Sequence, residues 1–147
     1  MQLTYFSDYS LRVLLYLGLK GRRATVAEIA SGFRVSRNHL VKVVHFLGRE
    51  GFLANARGHG GGLRLARAAS DINVGAVVRL AEAGDMPAEC FDRATNTCVL
   101  AGGCGLQQVL QEALDSFYAT LAKYSLADLR VRPRKLRALF EVHPAVR

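Results

Sequence analysis

The sequence predicts a mainly α-helical fold that carries one small β-hairpin and a long helix towards its C-terminal end. Two observations carry this prediction. Apolar residues recur at spacings of three and four in five segments, and one segment alternates apolar and polar residues on both sides of a glycine cluster. The chain has 147 residues, of which 50% are hydrophobic, so it can bury the core of one ordinary domain.

The first two helices are predicted from apolar spacing and from end signals. Residues 11–19 form an apolar stripe that begins after Ser7–Asp8 and ends near Gly21. A short second helix follows Thr25, which lies at capping-box spacing from Glu28.

A third helix is predicted to begin at the N-cap Ser36 and to end at Gly51. Two helices joined by about three residues, the second of them longer and polar on its outer face, form the helix-turn-helix pattern. Arginine and asparagine near the start of such a helix suit contact with base edges and phosphates. The alternative is that this face is merely solvated.

The hairpin is predicted over residues 52–70, on both sides of Gly58 and Gly60–Gly62. A hairpin that directly follows a recognition helix is a wing, and its basic tip suits phosphate or minor-groove contact. A glycine-rich turn can also hold a nucleotide phosphate, but no Gly-Lys-Ser/Thr sequence follows this one. The predicted DNA-contacting residues are Thr25, Ser36, Arg37, Asn38, Val41, Lys42, His45, Arg57, His59, Gly60 and Arg64.

The second half is predicted to hold two further helices separated by a loop. One covers residues 73–84, and a longer one, of about twenty residues, runs from Cys104 to Leu126. The apolar stripe of the longer helix is long for one wing domain to cover, so we expect it to pair with the same helix of a second chain. Such a homodimer places two recognition helices about one DNA turn apart.

Charge divides the chain into three parts. Residues 1–67 hold eleven Lys and Arg against three Asp and Glu, residues 68–128 hold three against eight, and residues 129–147 hold six against one. A basic N-terminal part suits a nucleic-acid partner, although many basic surfaces merely stay soluble. The predicted division is a winged helix-turn-helix domain at 1–72, a sensor loop with dimerisation helices at 73–128, and a basic, poorly ordered tail from 129 onward.

All three cysteines, Cys90, Cys98 and Cys104, lie in the loop between the last two predicted helices. Their spacing matches neither the close pairs of structural zinc sites nor a Cys-x-x-Cys redox motif. The chain shows no signal peptide and no run of about 18 apolar residues, so we expect it in the cytoplasm, where thiols stay reduced. Spacing alone leaves three roles open for these cysteines: ligands of a metal or an iron–sulfur cluster, reactive redox thiols, or packing residues.

Several stretches together resemble the Rrf-type bacterial winged-helix transcription regulators. The superfamily is marked by the glycine-rich wing and by the helix "SRNHLVKV", while "FSDYSLR" and "ECF" with the Cys98-x5-Cys104 pair are similar to its nitric-oxide-sensing repressors. The similarity runs from "LTYFSDYSLRVLLYL" to "YSLADL" and covers residues 1 to about 130.

This resemblance implies a homodimeric repressor that binds operator DNA, carries a 4Fe–4S cluster on the three cysteines, and releases DNA when nitric oxide reacts with the cluster. Related members carry a 2Fe–2S centre, sense iron–sulfur supply, or regulate cysteine metabolism without a cluster. It also implies that Asp8 supplies an oxygen ligand across the dimer, with Glu89 and Asp92 as alternatives. Without the resemblance, Asp8 is interpreted as a carboxylate favoured by the dipole of a helix N-terminus.

Two other functions compete with this interpretation. An enzyme with a catalytic cysteine or iron centre finds no support, because the histidines fall on the predicted recognition helix, the wing and the tail, away from the cysteines. We therefore expect no enzyme. A DNA-binding regulator whose cysteines form reversible disulfides is the other alternative, and visible absorption of protein purified without oxygen separates the two because thiols do not absorb there.

Overall fold

Six α-helices and one two-stranded antiparallel sheet make up the described part of the chain. A computed structural model describes residues 3–56, 61–84 and 86–141. The mainly helical fold with one hairpin after the third helix confirms the predicted fold class. The elements are α1 (Tyr5–Lys20), α2 (Val26–Phe33), α3 (Arg37–Arg49), β1 (Leu53–Ala56), β2 (Gly62–Leu65), α4 (Val74–Ala81), α5 (Gly105–Leu121) and α6 (Pro133–Glu141).

Local end signals set the bounds of the first two helices. The Thr4 hydroxyl accepts a hydrogen bond from the Ser7 N–H at 3.2 Å, so α1 begins a few residues earlier than predicted. It ends at Gly21, whose φ of 64° is left-handed and suits glycine. Thr25 caps α2 by accepting from the Glu28 N–H at 3.1 Å, which confirms the predicted capping position.

The wing is joined to the start of α2 as well as to α3. Leu53 pairs with Leu65 across the hairpin, and Ala24 forms an isolated antiparallel bridge with Leu63. The bridge contains two hydrogen bonds between backbone groups, of 3.1 and 2.9 Å. The turn that holds Arg57, His59 and Gly60 lies outside the described residues.

One apolar core connects the two halves of the chain. The Leu126 N–H donates to the Ile72 carbonyl at 2.8 Å and the Val74 N–H donates to the Tyr124 carbonyl at 3.0 Å, which brings the segment after α5 against the start of α4. This pairing explains why α5 ends at Leu121, before the predicted Leu126, whose side chain is instead inserted into the core. Fully buried members of this core include Val13, Leu14, Ile29, Leu40, Leu47, Ile72, Val77 and Leu126.

Part of the tail that the sequence predicts to be poorly ordered forms a helix, while residues 142–147 lie outside the described residues. Residues Pro133–Glu141 form α6, with proline at its first position, where a missing N–H costs nothing. The Phe140 ring lies 4.8 Å from the ring centre of Tyr16 and 5.2 Å from that of Phe33. These edge-to-face contacts hold α6 against α1 and α2, and sequence periodicity alone could not reveal them because the partners are distant along the chain.

Two arginines near the C-terminal end bind backbone carbonyls at the end of α1. Arg130 donates to the Gly18 carbonyl at 3.3 Å, and Arg137 donates to the Leu19 carbonyl at 2.8 Å. The last carbonyls of a helix have no partner within the helix and carry partial negative charge, so arginine stabilises that end.

Within the described ranges, no helix is long and apolar enough to cross a membrane.

Candidate nucleic-acid interface and cysteine loop

The outer face of α3 carries five residues that the sequence assigns to DNA contact. Leu40, Val43 and Leu47 are buried on the inner face. The predicted residues Arg37, Asn38, Val41, Lys42 and His45 are exposed on the other. Because the apolar residues hold the helix against the core, these exposed side chains are free to enter a groove of a nucleic acid without disturbing the fold.

Three other predicted DNA-contacting residues, Thr25, Ser36 and Arg64, are also exposed. Ser36 is the exposed N-cap of α3 and its side chain makes no capping hydrogen bond. Thr25 is exposed at the start of α2, and Arg64 is exposed on β2. Residues at helix N-termini point backbone N–H groups outward, which suits phosphate oxygens.

Aromatic residues of α1 lie beside α3, and the sequence did not point to them. Tyr5 is 76% exposed and forms, with Tyr9, His39 and Lys42, part of the lining of a cavity of about 510 Å³. Tyr5 lies before the predicted start of the first helix, so its spacing to Tyr9 could not be assigned to one helical face. An exposed tyrosine beside a recognition helix has a hydroxyl that can donate to a phosphate.

A partly buried charge network fixes α2 relative to α1. The Tyr16 hydroxyl donates to Glu28 Oε1 at 3.0 Å, and Arg22 donates to the same oxygen at 2.6 Å. Burial, reinforced by the hydrogen bond to Glu28, raises the pKa of Tyr16 to about 12. Burial opposes ionisation of Glu28, but the hydrogen bonds from Arg22 and Tyr16 outweigh it and lower the pKa of that carboxyl. The network therefore keeps an ionised carboxylate at the start of the helix-turn-helix.

The three cysteines are half-buried free thiols. Cys104 is the N-cap residue of α5. An open cavity of about 840 Å³ extends from Gly102 past Cys104 along α5 to Ser116. No group of three or more His, Cys, Asp or Glu side chains placed to hold a metal occurs among the described residues, so the structure does not bring the three thiols together.

Hydrogen bonds nevertheless connect the neighbours of the three cysteines. Glu89 accepts from both the backbone N–H and the hydroxyl of Thr97, which connects the residue before Cys90 to the residue before Cys98. Gln107, in the first turn of α5, donates to the Cys90 carbonyl at 2.9 Å. The loop therefore has an internal framework that positions all three cysteine backbones relative to one another.

The carboxylates predicted as further ligands already have partners. Arg12 contacts both oxygens of Asp8, at 2.7 and 2.9 Å. The hydrogen bonds of Thr97 lower the pKa of the Glu89 carboxyl, and the hydrogen bond from the Thr95 hydroxyl, with that from a backbone N–H, lowers the pKa of Asp92. None of these carboxylates is placed beside the thiols to form a metal site in the described structure.

Comparison with known proteins identifies relatives of this chain over nearly its full length. It is 44% identical to the HTH-type transcriptional regulator NsrR of Halalkalibacterium halodurans over 146 residues, which cover 98% of this chain and 100% of the relative. It is 46% identical to the regulator of the same name from Bacillus subtilis, over 88% of this chain and 90% of that protein. These relatives are named as regulators and not as enzymes.

Solved structures share the fold. The cysteine regulator CymR of B. subtilis superposes with a TM-score of 0.69 at 20% identity, over 88% of this chain and 95% of that one. T. potens IscR superposes with a TM-score of 0.67 at 20% identity, over 88% of this chain and 85% of that one. A family model described as Rrf2, iron-dependent transcriptional regulator, matches residues 3–132. The chain therefore belongs to the Rrf2 family of DNA-binding transcriptional regulators.

Proposed function

We propose that this protein is a homodimeric repressor that binds operator DNA and releases it in response to nitric oxide through an iron–sulfur cluster. The observation that carries the proposal is the identity of more than 40% with regulators named NsrR, along chains of matching length. A regulator of bacterial operators works in the cytoplasm. We assign operator binding to residues 1–72, and dimerisation and sensing to residues 73–128.

DNA recognition rests on α3 and the wing. Arg37 and Asn38 lie in the first turn of α3, where a recognition helix reaches base edges, while Lys42 and His45 follow along the same exposed face. We assign contact with the phosphate backbone to Arg64 on β2 and to Arg57, His59 and Gly60, which lie outside the described residues.

Dimerisation rests on α5. None of its seventeen residues, all of them described, is buried within one chain. Leu106 and Val109 are 62% and 61% exposed, while another side of the helix packs against α4. Apolar residues left in water near the start of a helix, with Leu110, Leu114 and Phe117 only partly covered further along it, favour burial against the same helix of a second copy.

The donor set of the cysteine loop fits an iron–sulfur cluster. Three thiols without disulfide partners in one loop are soft ligands, and Cys90, Cys98 and Cys104 would hold the cluster, of the 4Fe–4S or the 2Fe–2S type. We assign the remaining ligand of a 4Fe–4S cluster to Asp8 of the second protomer, which must then share its carboxylate with Arg12. When bound, the cluster supplies iron that can react with nitric oxide.

Contacts connect the end of α4, after which the cysteine loop follows in the sequence, to α1. The loop follows α4, at whose end the Glu82 carboxylate accepts from both the N–H and the hydroxyl of Thr4, each at 2.9 Å. Thr4 caps α1, and α1 packs against α3. A change in loop order can therefore move the recognition helix, and a coupling of about 1–3 kcal/mol changes DNA affinity roughly 5- to 150-fold.

The DNA-binding assignment is tested by two variants of α3. We expect Arg37→Ala to weaken operator binding roughly 5- to 150-fold and to relax base preference, because it removes a contact to a base edge. Lys42→Ala is expected to weaken binding to all sequences alike and to lower the slope of log affinity against log salt by about 1. Fluorescence anisotropy with labelled operator over a salt series measures both effects.

Lys123→Ala is the matched control, because Lys123 is an exposed lysine beyond the end of α5. It should bind DNA like the unmodified protein. If Arg37→Ala and Lys42→Ala also bind like the unmodified protein at each salt concentration, the outer face of α3 is not the DNA-binding surface.

Addition of nitric oxide to anaerobic protein in the same assay tests the signal, and unchanged affinity would favour an iron–sulfur-supply or redox regulator of the same family.

A further inference from the structure

A second basic surface adjoins the predicted DNA-contacting surface and shares Arg64 with it. A pocket of about 440 Å³ is formed by the end of α1, the connection from α1 to α2, the strand β2 with the residues after it, and Arg130. None of its described lining residues belongs to α3. Five of them are arginines, namely Arg22, Arg23, Arg64, Arg67 and Arg130, and no acidic residue lines the pocket among the described residues.

Two of these guanidinium groups are held in place by neutral partners. Arg67 donates to the Gly51 carbonyl at 3.1 Å and lies 5.2 Å from the ring centre of Phe52. Arg130 donates to the Gly18 carbonyl at 3.3 Å. Because a carbonyl or a ring orients a guanidinium group without neutralising it, both side chains keep their charge available while losing conformational freedom.

Confinement of like charges is unfavourable unless an anion joins them. Arg22 shares its charge with Glu28, which accepts two hydrogen bonds from it. The pocket still concentrates positive charge, and each guanidinium group raises the free energy of its neighbours in the absence of a counter-ion. Capping of the end of α1 explains why an arginine occurs at position 130. It does not explain Arg64 and Arg67, which lie on and after β2.

We propose that this pocket binds phosphate groups, and that in the complex with DNA these are backbone phosphates beside the half-site read by α3. Guanidinium groups match phosphate in geometry and charge. The pocket adjoins two elements of the DNA-binding unit, because Arg64 lies on the wing strand and Arg22 precedes Thr25 at the start of α2 by three residues. The DNA part of this proposal rests on the proposed function, whereas the phosphate chemistry does not.

The first arm of the test uses DNA. Arg67→Gln and Arg130→Gln, singly and together, are measured against a long operator duplex and an unrelated duplex of equal length over a salt series. For each phosphate that a variant no longer neutralises, the slope of log affinity against log salt falls by about 0.9 and affinity at about 0.1 M salt falls roughly fivefold to tenfold, equally on both duplexes. Shortening the duplex outside the half-sites should remove the difference between the variants and the unmodified protein.

The second arm uses inorganic pyrophosphate with the full-length chain and no DNA. At constant ionic strength, pyrophosphate in place of chloride should raise the midpoint of thermal unfolding of the unmodified protein and leave that of the double variant unchanged. A response in this arm alone identifies free phosphate compounds as the ligand, and a response to DNA alone identifies backbone phosphates. Failure to bind operator at all would overturn the proposed function, while the pyrophosphate arm still decides whether the pocket binds phosphate.

Two controls separate the pocket from general effects. Lys123→Gln removes one positive charge outside the pocket and should leave both readouts unchanged. Arg67→Lys and Arg130→Lys keep the charge and serve if a glutamine variant fails to fold, since a lysine should retain the salt slope but bind pyrophosphate more weakly. The proposal is overturned if neither arm distinguishes the variants from the unmodified protein, or if Lys123→Gln lowers the salt slope as much as they do.

Discussion

Replacing Gly75 with alanine is expected to lower the free energy of unfolding by about 1–3 kcal/mol. A Cβ atom at this position of α4 would lie 2.7 Å from the backbone nitrogen and 2.9 Å from the Cα atom of Ala122, just after α5. These are backbone atoms, so relief requires the end of α5 to move. Urea unfolding at one fixed protomer concentration measures the effect, because the proposed dimerisation would make stability depend on concentration.

Gly48→Ala in α3 is the matched control. A Cβ atom on Gly48 would meet no heavy atom within 4 Å, and its φ is not left-handed. Alanine is favoured over glycine by about 1 kcal/mol in a helix interior, and Gly48 lies in the last turn of α3, so this variant should be more stable than the unmodified protein by up to that amount. Equal stabilisation by both substitutions would show that α4 and the end of α5 are not in the close contact described.

Each of the changes Cys90→Ala, Cys98→Ala and Cys104→Ala is expected to abolish or strongly destabilise the proposed cluster. The physical reason is that three thiolates already leave a four-iron cluster one ligand short, so removal of another exposes a second iron. Iron and acid-labile sulfide content of anaerobically purified protein, together with visible absorption, measures the outcome.

Val99→Ala serves as the control in the same loop, because the side chain of Val99 is 95% exposed. It should retain full iron and sulfide content. Full content in any one of the cysteine variants would remove that residue from the ligand set, and full content in all three would leave reactive or packing thiols as the explanation.

Asp8→Ala is expected to assemble a cluster on the three cysteines with an altered spectrum and a smaller ratio between cluster-loaded and apo-protein affinities for DNA. Arg12→Ala is the comparison, since it removes the same ion pair but leaves the carboxylate. An exposed ion pair of this i, i+4 type contributes only about 0.3–0.5 kcal/mol to stability. If both variants keep the spectrum and the affinity ratio of the unmodified protein, Asp8 is only a helix-end charge.

The sequence predicted those elements whose signals are local. Thr25 at the start of α2, Gly21 at the end of α1 and the glycine-rich hairpin were all correctly placed, because caps and turns depend on residues a few positions apart. The apolar stripe of α3 likewise identified its buried face. The exposed face lies opposite that stripe. The sequence therefore predicts which side chains of α3 point outward, while their contact with DNA stays a prediction.

Features that depend on distant residues were not predictable in this way. The early start of α1 depends on Thr4, which Glu82 holds across 78 positions, and the end of α5 depends on the pairing of Leu126 with Ile72. The ring contacts that hold α6 are of the same kind. In the cysteine loop, the hydrogen bonds of Glu89 depend on a loop conformation, and the loop sequence has no periodic pattern that predicts it. The spacing therefore identifies the cysteines as a candidate site but does not predict the hydrogen bonds that connect their neighbours.

The bonds from Arg130 and Arg137 to the end of α1 also bear on how the protein is made. They span 112 and 118 positions, so the last carbonyls of α1 meet these donors only after more than a hundred further residues have been synthesised. A helix of 16 residues is marginal by itself in water, and contacts between distant positions form slowly. The end of α1 therefore depends on residues that are synthesised long after it, so a nascent chain that stalls before Arg130 would lack both of these bonds.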